Sequence, residues 1–225
     1  MNEELIRRAD LMVTNFQSIK KTFVWDMNIS KHFASLIAAN KEKKIDPEKI
    51  KKVRDYIKQE TSWMSYFRGN SEFIVSSLLS DRTDYEALFD KVEESYEAMK
   101  VVGFRRGSYL PLAALTIAMD EGNRGLSEKT ERAKHFYEMM KKSHFWLTGE
   151  EDYVLSVVLA CSNLDINSAF EDIEECYRLL IHKKFGFSSK NELQNLSHIL
   201  ALGDEVAEKK CDRAEKIYLE LKKMK

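Results

Sequence analysis

Histidines, cysteines and clustered acids are the side chains of this 225-residue chain that could move protons, attack a substrate or hold a metal. The five histidines are His32, His135, His144, His182 and His198. A metalloprotease-type zinc site needs two imidazoles one helical turn apart in H-E-x-x-H, and a di-iron bundle needs a Glu three residues before a His. Neither spacing occurs. His32 and His198 stand among apolar residues, where packing is the expected role. The cysteines, Cys161, Cys176 and Cys211, form no C-x-x-C pair and read as reduced core thiols of a cytoplasmic protein. Acids cluster at Glu93-Glu94-Glu97, at Glu150-Glu151-Asp152 and at Glu171-Asp172-Glu174-Glu175. A catalytic dyad needs two acids that converge from separate elements with their pKa values pushed apart. These acids are sequence neighbours, expected on exposed helix faces and first turns, where an acid also favours a helix N-terminus. No glycine-rich phosphate loop and no G-x-S-x-G elbow is present. The expectation is a chain that is not an enzyme and that has no cofactor and no metal.

The elements that would position such residues follow from a repeat. Phe16, Tyr56, Tyr96, Tyr137, Tyr177 and Tyr218 are spaced by 40, 40, 41, 40 and 41 residues. Their surroundings agree too. Glu131-Arg132-Ala133-Lys134-His135-Phe136-Tyr137 matches Asp212-Arg213-Ala214-Glu215-Lys216-Ile217-Tyr218, two periods later. A second aromatic follows the marker by eight residues at Phe104, Phe145 and Phe185. Each unit reads as a long helix A, a turn and a shorter helix B. In the first A helix Leu5, Ala9, Met12, Phe16, Ile19 and Phe23 alternate in steps of four and three, which places them on one face. The B segments, such as Phe33-Leu36-Ile37 and Tyr153-Leu155-Val158-Leu159, are apolar over more of their circumference and should be sandwiched.

Boundary signals support this division. Asp46-Pro47 predicts an N-cap and a first-turn proline, and Ser127 is a candidate cap for the fourth A helix. Thr148 with Glu151, and Ser189 with Glu192, fit the capping box. Pro111 falls in a first turn, where its missing N–H costs little. The predicted fold is all-α: an α-solenoid of about five helix–turn–helix repeats with boundaries near 3–42, 43–82, 83–123, 124–164 and 165–204, ending on a helix at 205–225. The last helix is either a terminal cap or a point from which the natural protein continues. The whole chain reads as one repeat domain.

Placed on this frame, Trp25, Trp63 and Trp146 fall nine, seven and nine residues after their markers, in the A-to-B turns. With Tyr66, Phe67, Arg105, Arg106 and Tyr109 they could form a partner-binding rim, since Trp, Tyr and Arg dominate interface hot spots. The competing reading is that each bulky ring closes the end of a helix pair.

Composition narrows the partner. The 36 basic and 37 acidic residues give a net charge of −1, and the most basic stretch, residues 1–60, has 13 basic against 9 acidic. Nucleic-acid affinity rests on a phosphate-neutralising stripe that these numbers do not supply. No apolar run approaches the ~20 residues of a membrane span. A protein or peptide partner on an extended helical surface is the leading expectation, and single-stranded RNA the alternative.

Two resemblances accompany this reading. Ala133 to Lys141 and Ala214 to Lys222 resemble the second helix of pentatricopeptide repeats, a family that reads single-stranded RNA with a period of thirty-five. The longer period here departs from that family, and A-x-x-x-[FY]-x-x-[ML]-[KR] is a generic pattern of stacked helices. Over most of its length, through Phe23–Asp26, Phe104–Pro111 and the Ala-Ala-Leu that follows, the chain resembles an uncharacterised bacterial family known as a domain of unknown function. That resemblance implies members longer than this chain and no activity.

Overall fold

The computed structural model describes residues 3–144, 146–183, 185 and 189–224. Among the described residues the chain is helical throughout, with no strand. In order the helices are α1 (Glu3–Lys20), α2 (Asn28–Asn40), α3 (Pro47–Glu60), α4 (Glu72–Leu79), α5 (Tyr85–Val101), α6 (Leu110–Met119), α7 (Leu126–Ser143), α8 (Tyr153–Cys161), α9 (Ile166–Ile181), α10 (Lys190–Leu200) and α11 (Ala207–Lys223). Single 3-10 turns at Tyr66–Arg68 and Glu150–Asp152 precede α4 and α8. Odd-numbered helices are long and even-numbered ones short. Every marker aromatic falls on an odd-numbered helix, from Phe16 on α1 to Tyr218 on α11, and the boundaries near 42, 82, 123, 164 and 204 fall in the loops that precede α3, α5, α7, α9 and α11.

Local chemistry explains several helix starts. Asp46 accepts the Glu48 N–H at 3.0 Å ahead of Pro47. At α10 the Ser189 hydroxyl accepts the Glu192 N–H (3.2 Å) and the Glu192 carboxylate accepts the Ser189 N–H (2.7 Å), so two otherwise orphaned donors are satisfied reciprocally. Pro111 is the second residue of α6. Two expected caps differ. Gly125, with extended backbone, is the N-cap of α7, so Ser127 lies inside the first turn and its hydroxyl donates to Glu131 at 3.0 Å. Thr148 does not cap with Glu151. Its hydroxyl donates to the His144 carbonyl (3.1 Å), and the nearby Gly149 N–H goes to the Asp152 carboxylate at 2.9 Å.

The chain divides into two compact bodies. Residues 1–97 with 106–119 make the first, and 98–105 with 120–225 the second. In the first body Ile19, Phe23, Ala34, Ile50 and Phe73 form a core cluster. Asn15, buried on α1, donates to the Lys43 carbonyl and accepts the Ile45 N–H, both at 2.9 Å, and so fixes the loop that leads into α3. The apolar face expected of the first A helix is buried only toward its C-terminal end: Leu5 and Ala9 are exposed. The second helix also differs from expectation. It buries Lys31, Ala34, Ser35 and Ala39, while Phe33 and Leu36 face solvent. Small side chains on the inner face let α2 approach α1 closely, which leaves the bulky residues on the outer one.

In the second body Cys176, Tyr177, Leu180, Phe185, Leu193 and Cys211 anchor the core between α9, α10 and α11. Ring contacts recur at fixed sequence spacing across the chain. Residues 33 apart meet at Tyr56–Phe89 (6.0 Å between centroids), Phe104–Tyr137 (5.7 Å), His144–Tyr177 (4.5 Å) and Phe185–Tyr218 (5.3 Å). Residues 16 apart meet within a helix pair, at Phe16–His32 (4.0 Å) and Tyr137–Tyr153 (5.0 Å). Phe145, one of the eight-residue aromatics, lies outside the described residues.

Candidate interaction surface

The A-to-B turns after α1, α3 and α5 each bury one aromatic and expose another. After α1, Phe23 turns into the core edge-on to Phe73 (5.1 Å), under the Arg54 guanidinium 5.1 Å from its ring. Its carbonyl accepts from the buried Lys31 ammonium at 3.0 Å. Arg54 is itself held by both Asp26 oxygens (2.7 and 3.2 Å) and lies 3.3 Å from Glu72, so the turn is tied to α3 and α4. With the turn fixed in this way Trp25 projects outward, 97 % exposed.

The same division appears after α3. Phe67 is buried between Phe89 (5.3 Å) and Tyr96 (5.2 Å), and Arg68 ties the turn back to the Lys58 and Thr61 carbonyls. Trp63 is 80 % exposed, with Met64 exposed beside it. After α5, Phe104 packs on Tyr137 and, at 4.8 Å, on Tyr153, whose hydroxyl accepts the Arg105 N–H at 3.3 Å. The Arg105 and Arg106 side chains and the Tyr109 ring are exposed. After α7, Trp146 is 92 % exposed.

Two parts of the sequence reading change accordingly. Phenylalanines close the helix pairs, and the tryptophans stand outside them. Phe67 belongs to the closing set and offers nothing to a partner. Of the rim residues, Trp25, Trp63, Tyr66, Arg106 and Tyr109 belong to the first body, and Arg105 and Trp146 to the second. Within the first, Arg106 and Tyr66 both lie close enough to Tyr96 to act on its hydroxyl, whose pKa burial raises.

A second feature is a set of buried polar groups along the 144–152 segment and α10 in the second body. Asp152 was expected on an exposed first turn, yet it is fully buried. Burial pushes its carboxyl up to about 6, against the opposing pull of the Gly149 N–H. Gln194, also buried, donates to Thr148 at 3.1 Å. One helical turn further along α10, His198 is 1 % exposed, and burial with His144 nearby pushes its imidazole down to about 4. Among the described residues neither ring nitrogen of His198, nor Asp152 Oδ1, nor Gln194 Oε1 has a hydrogen-bond partner. His144 lies at the margin, with Nε2 3.0 Å from Glu174 Oε1. The available signal was the placement of Gln194, Ser197 and His198 on the arc of α10 that also carries Leu193.

The remaining chemistry is muted. Burial raises all three thiols, Cys161 to about 11 and Cys176 to about 12, so they stay protonated and weakly nucleophilic near neutral pH. Among the described residues no group of three or more His, Cys, Asp or Glu side chains could hold a metal ion, and no helix is long and apolar enough to cross a membrane.

Comparison with known proteins gives relatives without a described activity. The chain is similar to "Uncharacterized protein YeaA" of Bacillus subtilis (strain 168), at 26 % identity over 216 residues, which covers 91 % of this chain and 63 % of the relative. No solved structure matches. The model of one family, described as "Protein of unknown function (DUF4003)", matches residues 15–225. A match across nearly the whole repeat array leaves one conclusion: the chain belongs to that family.

Proposed function

We propose that the chain is a helical scaffold that binds a protein or peptide partner on its A-to-B turns and takes part in no catalytic step. The near-complete exposure of Trp25, Trp63 and Trp146 is the observation that carries this reading. An indole in water forfeits the burial that makes Trp so favourable in cores, and exposed Trp with neighbouring Met, Tyr and Arg is the composition of interface hot spots. In this reading the helix pairs stack as an α-solenoid of the tetratricopeptide type, with the ring contacts 33 residues apart as the joints between successive units. Three protonated, unpaired thiols suit a reducing, cytoplasmic setting.

Affinity capture from native cells with the wild-type chain and with a Trp25→Ala/Trp63→Ala/Trp146→Ala variant tests the reading. A defined protein that the wild type retains and the variant loses supports it. Equal retention by both, or capture of RNA that nuclease removes, overturns it.

A further inference from the structure

We propose that the apolar cleft between α10 and α11 is the seat of one more short, mostly apolar helix, of the same chemistry as the chain's own B helices. The cleft has a volume of about 590 Å³, and its floor is formed by Leu196, Leu200, Ile217, Tyr218 and Leu221. Ile217 and Leu221 are more than half exposed, which is costly for aliphatic side chains that share a helical face with the partly buried Ala214 and Tyr218.

What identifies the occupant is the internal equivalence of α7 and α11, whose matching residues lie 81 apart. On their N-terminal side the two helices make the same contacts. The buried Lys129 ammonium donates to the Asp120 carbonyl at 2.9 Å, and the buried Lys210 ammonium to the Gly203 carbonyl at 3.2 Å, in each case a carbonyl of the loop that leads into the helix. Tyr137 meets Phe104, and Tyr218 meets Phe185.

Beyond these contacts they differ. On α7 Tyr137 also meets Tyr153 of α8 (5.0 Å), which packs beside Phe104 (4.8 Å). Arg132 closes the far end of that helix, with Nε 3.2 Å from the Ala160 carbonyl and Nη2 2.9 Å from the Leu164 carbonyl. On α11 the equivalents, Tyr218 and Arg213, both line the open cleft, and Arg213 turns to Glu205 at 2.7 Å. So α11 presents an aromatic platform and a guanidinium at the spacing that, on α7, holds one B helix at both ends. The occupant is therefore a short, mostly apolar helix that puts an aromatic ring on Tyr218 and its C-terminal carbonyls on Arg213. Helix termini leave such carbonyls unsatisfied, which gives the guanidinium a use. The Bacillus subtilis relative, 63 % of whose length this chain spans, has length in which such a helix could be encoded.

This seat shares no residue with the tryptophan turns, so the two proposals fail separately. The test uses the full chain and a fluorescein-labelled, helix-stabilised peptide of residues 150–163, the chain's own α8, followed by fluorescence anisotropy. Saturable binding is expected. Ile217→Glu and Leu221→Glu, on exposed positions that leave the fold intact by circular dichroism, should each weaken it about tenfold, which corresponds to ~1.4 kcal/mol. Arg213→Ala should weaken it severalfold, and the triple tryptophan variant should bind like wild type. The proposal is overturned by no binding up to millimolar peptide, by equal binding of a scrambled peptide, by indifference to both glutamate substitutions, or by loss of binding in the triple tryptophan variant. Self-association in light scattering that the peptide fails to compete with would assign the cleft to a second copy and overturn it as well.

Discussion

At the scale of single residues, Asp152 and His198 give the second body two opposing pH dependences. Asp152 titrates higher when folded, at about 6, than its ordinary 3.8. The folded state therefore binds more protons between those values, and Asp152 costs stability as pH rises through that window. His198 titrates lower when folded, at about 4 against 6.5, so the unfolded state binds more protons and stability is lost as pH falls from 6.5 to 4. At 1.36 kcal/mol per pH unit each group costs roughly 3 kcal/mol once its window is crossed, and between pH 4 and 6 the two opposite slopes largely cancel, so that their combined cost stays near that value. Asp152→Asn removes one side of the balance and can still accept the Gly149 N–H. It should raise stability by ~2–3 kcal/mol at pH 7, with the gain fading toward pH 4, in urea denaturation across that range. A variant no more stable than wild type at pH 7 would mean that the carboxylate is not buried in this way. Arg54 is the other residue of consequence. It bridges Asp26 and Glu72 while its guanidinium lies near Phe23 and Phe73, so Arg54→Ala strands two part-buried acids and should cost ~2–4 kcal/mol. Arg54→Lys should recover little of that loss, because the two-pronged bond to Asp26 needs the guanidinium fork.

At the scale of elements, the repeat was legible because an aromatic at a fixed helical position recurs without interruption, and the odd-numbered helices carry it as expected. Caps were legible where side chain and backbone need each other, as at Asp46 and Ser189. They were misread where glycine starts the helix, because a glycine N-cap leaves no side-chain signature and Ser127 stood close enough to attract the assignment. Denaturation of two alanine variants separates the cases: Ser189→Ala should cost about 1 kcal/mol, whereas Ser127→Ala should stay within ~0.5 kcal/mol of wild type. The outward face of α2 was misread for a different reason. Periodicity identifies which residues share a face but not which face is buried, and there the close approach of α1 selects Ala34, Ser35 and Ala39 over Phe33 and Leu36. The candidate surface was half legible. Spacing placed the tryptophans in turns, yet only the tertiary contacts of Phe23, Phe67 and Phe104 show which ring of each turn is already used. The burial of Asp152, Gln194 and His198 was hidden because these polar residues come from two segments some forty residues apart.

At the scale of the whole molecule, charge decides how a partner can be held. The chain carries a net charge of −1, and many of its cations already face carboxylates, such as Lys43 on Asp81, Arg82 on Asp84 and Arg178 on Glu175. Binding a polyanion would require breaking such pairs or adding phosphate contacts that the remaining cations must supply. A partner held by indoles instead buries apolar area, whose stabilisation depends little on salt at these concentrations. The affinity of the captured partner should therefore change by less than about threefold between 50 and 200 mM salt, whereas neutralisation of six to ten phosphates would cost roughly 10³–10⁵ over the same range. Isothermal titration at both concentrations reads the difference directly. Alanine at Trp25, Trp63 and Trp146 should remove the binding while stability stays within ~0.5 kcal/mol, because side chains this exposed contribute little to the fold. Phe104→Ala should do the opposite and cost ~3–5 kcal/mol, since it empties a buried joint between Tyr137 and Tyr153. A steep salt dependence, or a tryptophan variant that unfolds like the Phe104 variant, would sink the division between rings that hold the molecule together and rings that meet its partner.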